Sequence, residues 1–221
     1  MPSAYLFDMA HKVEIRQSLE WTVAFGRDFM GFSEEDGKVL NSLATMVSPL
    51  VKPIVDGVYV HLFEYLYTKA FFLKRNVGFE GEHATALDKL TLNDDMISFR
   101  KTSLSADVGK IFTSDYESFK TWEYFDKVAK MHTGLKGFAH RASKDPLIVD
   151  LQPMALLLGW VEDVVLKAVM DLEVDNATKT AVLRAFNRFV WLQNDLFNRW
   201  YAKTDEELAA ATEKVKDAGE V

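Results

Sequence analysis

The chain of 221 residues contains no cysteine, which excludes disulfide staples, thiolate catalysis and any cysteine-ligated metal. Proline and glycine number only 5 and 11, too few for a fibrous or disordered architecture. No apolar run reaches the roughly 18 to 20 residues that cross a bilayer, so no membrane span is expected. The N-terminus, MPSAYLFDMAHKVEIR, has neither the basic start nor the long apolar core of a secretory signal. Lysines and arginines form no long exclusive run, and the formal charge is −7 with a pI near 5.3. A surface that tracks phosphates is therefore not expected, nor is nucleic acid as a partner. These absences together point to a cytoplasmic protein.

What is present is apolar and helical. Apolar residues make up 48% of the chain, enough for one large core at this length. Helical periods follow one another without strand alternation, repeats or linkers. The first helix is expected over residues 10–26, ending at Gly26. A second opens at Ser33, whose hydroxyl caps SEEDGKVL with acids in the positive first turn, and runs to Pro49. Pro53 starts a third, PIVDGVYVHLFEYLYTKAFF, with Ile54, Val55, Val58, Tyr59, Leu62 and Leu66 on one side.

After Lys74 the pattern lapses into polar loop. Asn93 or Asp94 caps the next helix, DMISFRKTSLSADVGKIF, whose apolar side carries Met96, Phe99, Leu104, Val108 and Ile111 or Phe112. A helix from Tyr116 to Ala139 follows, then two long apolar ones, Pro153 to Leu172 and Ala177 to Tyr201. The last has a stripe of Ala181, Ala185, Phe189, Leu192, Leu196 and Trp200. Residues 202–221 read as a polar helical tail capped at Thr204. The fold class is all-α, one domain over residues 1–201.

His132 stands alone in the apolar stripe of WEYFDKVAKMHTGLKGFAH, on the side of Trp122, Phe125, Val128, Ala129, Leu135 and Ala139. A neutral imidazole there is either a metal ligand or a core histidine satisfied by a backbone carbonyl, and one histidine alone makes no zinc site. Tyr59 is equally ambiguous, since a tyrosine in an apolar stripe often wires its hydroxyl to backbone. Adjacent carboxylates such as Glu34 and Glu35, Asp94 and Asp95, or Glu206 and Glu207 sit where caps belong. There is no phosphate loop, nucleophile elbow or histidine pair at i, i+4.

In order, the segments VYVHLF, SFRKTSLSADVGKIF, WEYFDKVAKMHTGL, PMALLLGWVEDVV and AFNRFVWLQNDLFNRWY resemble the globin-sensor and protoglobin family, in particular its single-domain fungal-type members. The resemblance covers about Ser33 to Tyr201. It implies a globin-like helical sandwich, with residues 10–26 as the extra pre-globin helix. It implies haem b, with His132 as the proximal iron ligand through Nε2. The other ring nitrogen then donates to a carbonyl one turn back, such as that of Val128, which fixes the tautomer. Tyr59 matches the distal tyrosine that donates to a diatomic ligand as it acquires partial negative charge. Leu104 and Val108 become haem-facing.

Val58 stands where the family often has an aromatic, and the distal helix has no histidine. His61 points away from the Tyr59 side, His140 suits a helix cap, and His83 and His11 take no chemical role. Phe63, Phe99, Phe112, Phe125, Trp160, Phe189 and Trp191 read as packing.

The expected function is a haem-b globin that binds O2, NO or CO as gas sensor or gas binder. An enzyme for NO or peroxide detoxification is a second reading, against which no distal acid–base pair and no electron-delivery domain is visible. A haem-free helical interaction module is a third. About 20 residues follow the last core helix, too few for an output module, so a sensor would report through a signalling partner or through a homodimer built on the last two long helices.

Overall fold

In a computed structural model, the described residues are 15, 18–74, 79–133 and 148–202. They form helices α1 (Leu19–Met30), α2 (Glu34–Ser42), α3 (Ala44–Glu64), α4 (Leu66–Lys69), α5 (Asp95–Ile111), α6 (Phe119–Met131), α7 (Leu151–Met170) and α8 (Asn176–Tyr201). A 3₁₀ turn, Ala70–Leu73, extends α4. The sole β element among the described residues is an isolated antiparallel bridge between Thr133 and Ile148. The all-α class is what periodicity predicts.

Helix ends follow local chemistry where a cap exists. Ser33 and Asp36 form a reciprocal capping box at α2, and Asp94 stands at the N-cap of α5. Two expected ends are corrected. The first helix does not stop at Gly26 but runs to Met30 and closes on Gly31, whose φ of 67° is the left-handed conformation glycine accepts without penalty. Gly26 lies inside α1 because a Cβ there would come 2.8 Å from Leu192 Cδ2, so its role is close packing against α8. The expected start of this helix lies outside the described residues.

The second helix ends at Ser42, not Pro49. The chain bends by 73° at Leu43, and α3 carries both Pro49 and Pro53 within it. Both prolines are exposed, so the carbonyls they leave without a helical donor face water. Leu66, expected on the buried side of the third helix, is 70% exposed because the helix breaks at Tyr65.

The long helix α8 is the axis of the molecule, with α1, α2, α6 and α7 packed around it. Its buried face carries Ala185, Phe189, Leu192 and Leu196 as expected, joined by Val182, Phe186, Val190, Gln193 and Phe197. Ala181 is exposed and Trp200 only half-buried. A second, smaller core gathers Val55, Val58, Tyr59, Phe72, Leu90 and Ile97 where α3 meets α5. No single helix among the described residues is long and apolar enough to cross a membrane.

Candidate functional site

Between the two cores lies a cavity of about 300 Å³. Its walls combine Val55, Val58 and Phe72 of the smaller core with Phe125, Phe186, Phe189 and Phe197 of the larger. Tyr59, Leu104, Val108 and His132 all line it, brought from α3, α5 and the end of α6.

His132 follows the last residue of α6, rather than sitting in mid-helix as the periodicity suggests. The expected continuation to Ala139 lies outside the described residues. Its Nδ1 is 2.8 Å from the Val128 carbonyl oxygen. A carbonyl only accepts, so Nδ1 carries the proton and the lone pair belongs to Nε2. The Phe197 ring meets the imidazole edge-on, with centroids 5.4 Å apart.

Tyr59 is only 6% exposed. Its ring packs on Phe72 at 5.4 Å and lies 5.7 Å from Lys101 Nζ. Its hydroxyl makes no hydrogen bond to another described residue. Burial drives the phenol well above its ordinary pKa, with nearby Arg100 opposing and Asp107 adding to the rise. The hydroxyl is therefore a neutral donor at every physiological pH.

Spacing alone missed some polar groups of this cavity. Arg100, Ser103 and Asp107 on α5 and Gln193 on α8 also line it. Arg100 is buried, donates to the Lys74 carbonyl at 2.9 Å and lies over the Phe72 ring at 5.2 Å. Asp107 accepts from the Tyr124 hydroxyl. The signal was available: Arg100, Leu104, Asp107, Val108 and Ile111 share one helical face. A cation and a carboxylate thus line the cavity, each already bonded to a neighbour, Arg100 to the Lys74 carbonyl and Asp107 to the Tyr124 hydroxyl.

The other described histidines, His61 and His83, do not line the cavity. His61 stacks on Trp160, with centroids 4.5 Å and planes 6° apart, and contacts Glu64 through Nδ1 at 3.0 Å. His83 lies in the loop before α5, and His11 and His140 lie outside the described residues. Trp191 is 50% exposed, whereas Phe125 and Phe189 line the cavity. No group of three histidine or carboxylate side chains among the described residues could hold a bare ion. A metal at His132 therefore needs a ligand set brought with it.

A porphyrin meets that need. It supplies four in-plane nitrogens, and the cavity offers a mostly apolar enclosure with one imidazole of fixed tautomer. An all-α fold whose two cores enclose such a cavity, with a histidine and a tyrosine in its wall, fits a globin. The family model described as Protoglobin matches residues 22–207, and the chain belongs to that family. Protoglobins are haem globins that bind gases. No curated protein matches the chain.

Proposed function

We propose that the protein is a haem-b globin that binds O2, NO or CO, as a gas sensor or gas binder. The observation that carries this reading is that His132, with its tautomer fixed by Val128, and Tyr59, a buried residue whose hydroxyl has no described partner, line the same cavity. Haem supplies an iron with one coordination position for a diatomic molecule. His132 Nε2 would hold the haem iron, and the bond from His132 Nδ1–H to the Val128 carbonyl holds the ring orientation and raises its basicity. Tyr59 donates to the polar ligand in a medium of low dielectric, and Leu104 and Val108 exclude water from the cavity.

The test is the visible spectrum of the haem-loaded protein in ferric, ferrous and ferrous CO states beside His132→Ala. The expected result is an intense Soret band that shifts with CO, and that in the variant is lost or recovered only with imidazole. A spectrum indifferent to His132 refutes the axial assignment. Arg100 and Asp107 favour a second reading, turnover of NO or peroxide, because they set a cation and a carboxylate in the same cavity. Turnover with an added reductase decides it.

We also propose a homodimer. Leu156, Leu166 and Met170 of α7 are 69%, 47% and 51% exposed, and Trp191 of α8 is 50% exposed, an apolar surface that suits a second copy. Light scattering of the wild type beside Leu166→Glu tests it. A wild-type monomer, or a dimer untouched by the substitution, refutes this surface.

A further inference from the structure

The last turn of α8 grips the end of α6 from several sides. The hydroxyl of Tyr201, the final residue of α8, lies 3.1 Å from the His132 carbonyl oxygen and 2.5 Å from that of Val149. The Val149 N–H itself donates to the His132 carbonyl at 2.8 Å. One phenolic proton is thus shared between the two chain segments that meet at the Thr133–Ile148 bridge. Burial, aided by Asp150, pushes this phenol up to about 12, so it is a donor across the physiological range. One turn earlier on α8, Phe197 sets its ring edge-on to the imidazole. Between them, Arg199 Nη1 and Trp200 Nε1 both donate to Asp126 of α6, at 2.7 and 2.9 Å.

Helix α6 alone does not fix the imidazole. Its end is tightened into short bonds three residues back, His132 N–H to Ala129 at 3.1 Å and Thr133 N–H to Lys130 at 3.2 Å. Such turns have poorer hydrogen-bond geometry than the helix body. The ring leans on the Val128 carbonyl in that same turn. What holds the turn therefore holds the ring.

We propose that Tyr201 and Phe197 are positioning residues for the His132 imidazole, setting its tilt and so the strength of the bond that Nε2 makes to an axial iron. This rests on the reading of His132 as that ligand. A consequence is reciprocity: displacement of the imidazole loads the end of α8, and whatever holds that end changes ligand affinity by the same factor.

The experiment uses the full haem-loaded chain and two readouts, the iron–imidazole stretch of the ferrous protein by resonance Raman and the dissociation constant for CO. His132→Gly, with and without imidazole, identifies the Raman band. Tyr201→Phe is expected to lower the stretch and weaken CO binding about fivefold, the factor that corresponds to one hydrogen bond. Phe197→Leu, which alters the ring contact without touching the carbonyls, is expected to shift the same band, and it carries the test if Tyr201→Phe does not fold. Substitutions that lower the melting temperature but leave both band and CO affinity at wild-type values overturn the proposal and leave α6 sufficient. A band that survives His132→Gly without imidazole overturns both the axial reading and this one. A band that depends on His132 but ignores Tyr201 and Phe197 overturns this one alone.

Discussion

Replacing Tyr59 with Phe removes one oxygen from the cavity and nothing else. The ring contact with Phe72 at 5.4 Å and the approach of Lys101 at 5.7 Å do not depend on the hydroxyl. Tyr59 is buried, and its hydroxyl, in the cavity wall, bonds to no other described residue, so its loss strands no partner, and stability should hold or rise slightly. The effect should fall on the ligand. A hydrogen bond donated inside a cavity of low dielectric to a partly charged oxygen is worth about 1 to 2 kcal/mol, which makes O2 dissociation about 5- to 30-fold faster. CO develops less charge and should dissociate at nearly the wild-type rate. Flash photolysis and stopped-flow displacement measure both rates, and a thermal melt of each protein checks the fold. Equal acceleration for both gases would mean that the cavity had merely loosened. An unchanged O2 rate would place the hydroxyl out of reach of the ligand, and the donor role of Tyr59 would fall.

Asp36→Ala should cost about 3 kcal/mol, because the carboxylate holds Arg188 at 2.8 Å and the Ser33 N–H at 2.7 Å. Calorimetry should show the melting temperature fall by about 6 to 12 °C, and a drop of less than about 2 °C would contradict the burial argument. Gly26→Val should destabilise by about 2 kcal/mol in urea unfolding, since even a Cβ meets Leu192 at 2.8 Å; an unchanged midpoint would show that α1 can move off α8. Tyr59, Tyr116 and Tyr201 all have pKa values raised first of all by burial. Their protons are held more tightly in the folded chain, so this contribution to stability is complete below pH 10 and is lost as pH rises through the native values, for Tyr201 about 12. Tyrosinate absorbance from these three should therefore appear only with unfolding, and ionisation in the folded protein near pH 10 would refute their burial. Leu104→Trp should lower haem uptake by filling a cavity of about 300 Å³ while the apoprotein melts as before. Undiminished uptake would remove Leu104 from the haem face.

The all-α class, the order of the helices and several caps were legible in the residues, because a helix is decided by neighbours three and four positions apart and a cap by one side chain at its end. Ser33 with Asp36, Asp94 ahead of α5, and the stripe Ala185, Phe189, Leu192 and Leu196 all follow from such local spacing. The bond from His132 to Val128 belongs to the same short range. Partners distant in sequence decided the rest. Gly26 looks like a terminator and is a packing contact, because Leu192 arrives 166 positions later. Pro49 looks like a stop and lies within α3, because its flank is exposed and water can take the freed carbonyl. Arg100 and Asp107 share the face of α5 that carries Leu104 and Val108, but that this face borders a cavity follows only from residues of α3 and α8 closing over it. Tyr201 reads as the end of a helix, and only the return of α8 across α6 sets its hydroxyl between the carbonyls of His132 and Val149. Periodicity states which face of a helix is apolar; what that face meets depends on where the other helices come to rest.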